Sequence, residues 1–145
     1  MIDGEISFKS LLYVTEVLEE MLGKNGANAI LRTAGLRAAV NLIEMLPLSL
    51  PEEEAALRSG LILKEFGFIE ELSQPDVETL KITGNHIIEE VTGLGLHGTG
   101  SARYYTIGLF EGFFKQMSGS TRKIISVELL PDGEMWKLGG VSAVG

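Results

Sequence analysis

Apolar positions recur at helical spacing over the first part of the chain. Phe8, Leu11, Leu12, Leu18, Met21 and Leu22 predict an amphipathic helix over 7–22, with Gly23 as its stop. Asn25 to Leu46 predicts a second helix, ended by Pro47. Its Gly26, Ala27, Ala29, Ala34, Gly35, Ala38 and Ala39 allow another backbone to come close, either the first helix or a second subunit. A third helix is expected from the capping box Ser49-Leu50-Pro51-Glu52, with Glu53 and Glu54 at the positive end of its dipole, as far as Gly67.

The pattern then changes period. Val77 to Thr83 is β-branched and loosely alternating, Gly84-Asn85 is a two-residue hairpin signal, and His86 to Val91 is the expected return strand. A glycine-rich loop follows, and Ser101 to Met117 predicts a helix. Thr121 to Leu130 predicts a strand, Pro131-Asp132-Gly133-Glu134 a turn, and Met135 to Leu138 the last strand. The order α-α-α-β-β-α-β-β with hairpins implies antiparallel pairing. The expected class is α+β rather than doubly wound α/β, as one domain over 1–145.

Composition narrows the function classes. The 145 residues are 45% hydrophobic and 22% charged, with a net charge of −8 and no cysteine. Disulfides, thiolate metal sites and cysteine nucleophiles are thereby excluded. Nucleic-acid binding needs a basic stripe, and the nearest features, Arg32 with Arg37 and Arg122 with Lys123, are not runs. No apolar run reaches the length of a membrane span, and MIDGEISFKS does not read as a signal peptide, so the expectation is a cytoplasmic protein with no membrane insertion.

Candidate chemistry converges on 91–119. Gly93, Gly95 and Gly98 match G-x-G-x-x-G, and Gly100 continues the loop. A dinucleotide site is disfavoured, because the preceding strand belongs to a hairpin and the acid at the required distance, Glu111, falls mid-helix. The two histidines, His86 and His97, lie roughly a strand length apart and are not expected to share a metal. Ser101 lacks the nucleophile elbow and reads as a helix start. Phe110, Phe113 and Phe114 share a helix face, which is either core or one wall of an apolar pocket. Arg32, Arg37 and Arg103 would then anchor an acidic head group.

Several segments together carry a resemblance. These are Leu31-Arg32-Thr33-Ala34-Gly35, Lys64-Glu65-Phe66-Gly67-Phe68, and Ile107-Gly108-Leu109-Phe110-Glu111-Gly112-Phe113-Phe114 followed by Val127 to Glu134. Over about Asn25 to Gly140 the chain resembles the four-vinyl-reductase domain family, related in fold to small TRAPP subunits and to heme-associated nitric-oxide signalling domains. The resemblance implies a helical layer packed on a four-stranded antiparallel sheet, and a small-molecule-binding sensor or accessory module that dimerises through its helices. It matches Gly108 and Gly112 to a Gly-x-x-x-Gly, Glu128 to an acid before the final hairpin, and Gly133 to a turn glycine. Many members carry cysteines where this chain has Tyr104, Tyr105, Leu130 and Trp136, so no thiolate role carries over.

The leading expectation is therefore a non-enzymatic homodimer binding a small hydrophobic ligand between helices and sheet, with Gly93 to Gly100 as a lid. Its polar contacts would be Arg32, Arg37, Arg103, Tyr104, Tyr105 and Glu111, with no metal and an unassigned cofactor. One rival is a TRAPP-like interaction subunit docking through the second helix. The other is an enzyme holding a phosphate-bearing cofactor at the glycine loop.

Overall fold

The computed structural model describes residues 4–42, 49–86 and 100–140. Its first helix, α1 (Gly4–Leu42), is two arms, because Gly23 sits at φ 76° and ψ 173°, outside helical space. That positive φ is open to a residue without Cβ, so the expected stop at Gly23 is realised as a break between arms 4–22 and 24–42. α2 (Glu52–Glu65) begins after Pro51, with no side-chain cap. The capping box at Ser49 therefore does not form. Pro51 supplies the fixed φ at the helix entry, and its carbonyl accepts the first helical bond from Ala55 N–H at 2.9 Å.

β1 (Ile69–Asp76) and β2 (Thr79–Asn85) make the first hairpin; a 3-10 turn (Gly100–Ala102) leads into α3 (Arg103–Ser118); β3 (Lys123–Leu130) and β4 (Gly133–Gly139) make the second. The sheet is four-stranded and antiparallel in the order β1-β2-β4-β3. The expected α+β class, with helices before the strands, holds.

The first hairpin is displaced from its expected place. Gly84-Asn85 is not a turn: both residues lie in β2, and Asn85 pairs with Ile69. The turn is at Val77-Glu78, where Glu78 N–H donates to Asp76 Oδ1 at 2.9 Å. β1 escapes a hydrophobic reading because it is a polar edge strand, exposed at Glu70, Glu71 and Ser73, with Pro75 within an irregular stretch of pairing. The expected strand 86–91 lies outside the described residues beyond His86, which is not part of β2. The second hairpin is also tighter than expected. β4 starts at Gly133, leaving Pro131-Asp132 as the connection and placing Glu134 in the strand.

The core lies where α2, α3 and the second arm of α1 meet one face of the sheet. Ile107, Phe110, Phe113, Phe114 and Met117 of α3 pack with Leu80, Ile82, Trp136, Leu138 and Ile124 of the sheet and with Ala55, Ala56 and Leu63 of α2. Phe110 stacks on Phe114 at 5.8 Å and meets the Trp136 edge at 6.0 Å. Among the described residues no helix is long and apolar enough to cross a membrane.

Candidate functional site

The second arm of α1 crosses α3 at a seam of small residues. A Cβ built on Gly35 would strike the Tyr105 carbonyl oxygen, and one built on Gly108 the Arg32 carbonyl oxygen. A Cβ on Gly112 would lie 2.5 Å from Ala39 Cβ. Gly35 and Ala39 of the small-residue helix therefore receive α3 of the same chain. The Gly108/Gly112 pair is their counterpart, and backbone meets backbone there without intervening side chains.

Helical spacing then sorts α3 into three neighbouring rows. Gly108 and Gly112 form the seam. Tyr105, Leu109 and Phe113 lie along one side of it, and Glu111 and Lys115 along the other. Each outer row lines a concavity.

On the first side is a cavity of about 300 Å³ lined by Ala38, Leu63, Phe66, Phe68, Tyr105, Leu109 and Phe113. Among the described residues no charged side chain lines it, and the Tyr105 phenol is the one polar side chain in its lining. Phe68 and Tyr105 have ring centroids 6.0 Å apart. Burial raises the Tyr105 pKa above its ordinary value of 10.0, because the phenolate would lose hydration there. Phe66, 60% exposed, stands at the rim.

On the second side is a polar cleft of about 260 Å³ lined by Arg32, Thr33, Leu36, Glu111, Lys115, Thr121, Arg122 and Lys123. Arg32 grips Glu111 with both ends of its fork: Nε donates to Oε1 at 2.7 Å, and Nη2 donates to Oε2. Arg32 Nη2 also donates to the Ile124 carbonyl at 2.7 Å, while Ile124 N–H donates to Glu111 Oε2 at 2.8 Å. The pair thus satisfies both backbone groups of Ile124 on the sheet-edge strand β3 and ties α1, α3 and β3 together. The hydrogen-bonded Glu111 carboxylate raises the Arg32 pKa above its usual value, against the opposing effect of partial burial.

A second buried carboxylate closes the far end of the sheet. Glu134 is 3% exposed and accepts from Trp136 Nε1 at 2.9 Å, Arg103 Nε at 3.1 Å and Asn85 Nδ2 at 3.3 Å. Strand alternation turns it inward with Trp136 and Leu138. Among the described residues the buried Asn85 Oδ1 finds no hydrogen-bond partner. A third concavity, about 320 Å³ and more polar, adjoins this cluster along Leu129 to Glu134.

The expected site residues are therefore dispersed. Tyr105 reaches the apolar cavity; Arg32 and Glu111 bind each other across the seam, and Arg103 binds Glu134. Arg37 is exposed on α1, and Tyr104 packs half-buried against the core. None of the three arginines lines the apolar cavity, so none anchors a head group there. Gly93, Gly95 and Gly98 lie outside the described residues, and Gly100 opens the 3-10 turn. The cavity lies among helices rather than between helices and sheet. Glu128 is exposed on β3, and the inward acid is Glu134.

The sequence reading missed Leu63, Phe66 and Phe68 as lining residues, because they come from a helix end and the strand entry. Leu109 and Phe113 were detectable as the four-residue row beginning at Tyr105. Among the described residues no three His, Asp or Glu side chains are grouped to hold a metal. No protein-family model matches the chain, and no curated protein matches it.

Proposed function

We propose that this protein is a non-enzymatic domain that binds a small hydrophobic molecule, similar to the four-vinyl-reductase family, and that it works as a homodimer. The observation that carries this reading is the apolar cavity of about 300 Å³ beside Tyr105. Its size lies at the lower end of the ~300–1,000 Å³ usual for small-molecule sites. The lining favours a neutral ligand, since a buried charge without a partner is costly. The Tyr105 hydroxyl supplies one hydrogen bond for orientation. A helical layer on a four-stranded antiparallel sheet, with a seam at Gly108 and Gly112, agrees with what the resemblance implies.

Support for the dimer comes from the first arm of α1. Tyr13, Val14, Val17, Met21 and Leu22 are each about half exposed or more, Met21 reaching 75%. At helical spacing they form a continuous apolar stripe, a surface that soluble monomers seldom leave uncovered. Val17→Glu is expected to leave a monomer by sedimentation analysis; an unchanged mass would remove this interface.

Native mass spectrometry of freshly purified protein tests the ligand reading. The expected spectrum carries a discrete extra mass of a small organic molecule, released on denaturation. An Ala38→Trp variant, with its cavity filled, is expected to lack that mass. Equal retention by both proteins would place the ligand elsewhere.

A further inference from the structure

The polar cleft on the other side of the seam from the apolar cavity gathers four cations of this acidic chain. Arg32, Lys115, Arg122 and Lys123 line it with Glu111, and Arg122 also pairs with Glu52, in a chain of net charge −8 with 12 lysines and arginines. They come from α1, α3 and the entry to β3, which the fold brings together.

The two guanidiniums are held before any ligand arrives. Arg32 is fixed through Nε and Nη2 by Glu111 and the Ile124 carbonyl. Arg122, 12% exposed, is fixed through Nε on the Gly139 carbonyl at 3.4 Å and Nη1 on Glu52 Oε1 at 3.2 Å. Each keeps one nitrogen unused: among the described residues, Arg32 Nη1 and Arg122 Nη2 make no hydrogen bond. Lys115 and Lys123 take part in no ion pair among the described residues. Anchored side chains lose less entropy on binding, and charge-assisted bonds to oxyanions are the strong ones. Two anchored guanidiniums with one unused nitrogen each, together with two exposed ammonium groups, suit a compact anion with several oxygens and more than one charge better than a monocarboxylate.

We propose that this cleft is a binding site for a phosphate-type oxyanion, either free phosphate or the phosphate of a small ester. It is separated from the apolar cavity by the α1–α3 seam and does not depend on a ligand there.

The test is calorimetric titration of the full chain with inorganic phosphate, glycerol phosphate and acetate at fixed ionic strength. The probes are applied to wild type, to Lys115→Gln/Lys123→Gln, and to Arg37→Gln as an exposed cation outside the cleft. The expected result is saturable binding of the phosphates, much tighter than acetate. The double variant should weaken it about 10-fold or more, the scale of lost charge-assisted bonds. Arg37→Gln should leave it unchanged. The tighter of the two phosphates tells whether the natural ligand is free or esterified. Both lysines are exposed, so the double variant should keep its wild-type melting temperature. No saturable phosphate binding, acetate binding as tight as phosphate, or equal weakening in Arg37→Gln would each overturn the assignment.

Discussion

The two sides of the α1–α3 crossing are built from the same pair of helices and have opposite chemistry. Among the described residues, one side is an apolar cavity with a single phenol in its lining, and the other is a cleft lined by four cations and Glu111. What separates them is a row of glycines one side chain wide. The crossing is close enough that each helix shows its neighbouring rows to different surroundings, so a step of two positions along α3, from Phe113 to Glu111, exchanges an aromatic wall for an ion pair. Two unlike surfaces thus need no second domain, only a seam tight enough to keep their side chains apart.

The largest expected effect comes from opening that seam. Gly108→Val places a branched side chain against the Arg32 carbonyl and must push the helices apart. The expected loss is about 3 kcal/mol or more, at the upper end of overpacking costs. Urea denaturation measures it, and both concavities should be lost together. A well-folded Gly108→Val protein would mean the crossing is looser than described.

Next is the ion pair on the cleft side. Glu111→Ala leaves the Arg32 fork unpaired and removes the acceptor from Ile124 N–H. Arg32 is partly exposed, so the expected cost is about 2 kcal/mol rather than that of a fully buried broken pair. Amide exchange at Ile124 should accelerate, while the apolar side keeps its ligand. Equal damage to both sides would show that the seam does not insulate them.

The smallest effect is on the apolar side. Burial raises the Tyr105 pKa above 10.0, so the folded-state value exceeds the unfolded one. This stabilising contribution is fully present below about pH 10 and is lost as pH rises through the folded value. An absorbance titration of the three tyrosines should contain a late step that Tyr105→Phe removes. Persistence of that step in Tyr105→Phe would assign it to another phenol.

Much of this architecture was legible in the sequence, and the exceptions have physical causes. Helical periodicity, the stop at Gly23 and the strand pair after α3 follow from local pattern, which depends only on neighbours in the chain. β1 was hidden because an edge strand exposed to water carries polar residues such as Glu70, Glu71 and Ser73. Gly84-Asn85 has turn chemistry, yet pairing of Asn85 with Ile69 keeps it in the strand, so tertiary context outweighed a local signal. The small-residue helix announced a close neighbour, but nothing local could say that α3 was that neighbour. For the same reason the basic cleft was invisible, since Arg32 and Arg122 become neighbours only through the fold. Glu111 lies at the spacing of a cofactor-motif acid, yet in the fold it holds Arg32 and the edge of β3.

The most direct test of the central claim is equilibrium binding of N-phenyl-1-naphthylamine, a neutral hydrophobic fluorophore, to wild type and Ala38→Trp. The cavity account predicts saturable one-to-one fluorescence enhancement in wild type. It predicts loss of that signal in Ala38→Trp, with the melting temperature and phosphate binding unchanged. No saturable signal in wild type, or the same signal in both proteins, would contradict it.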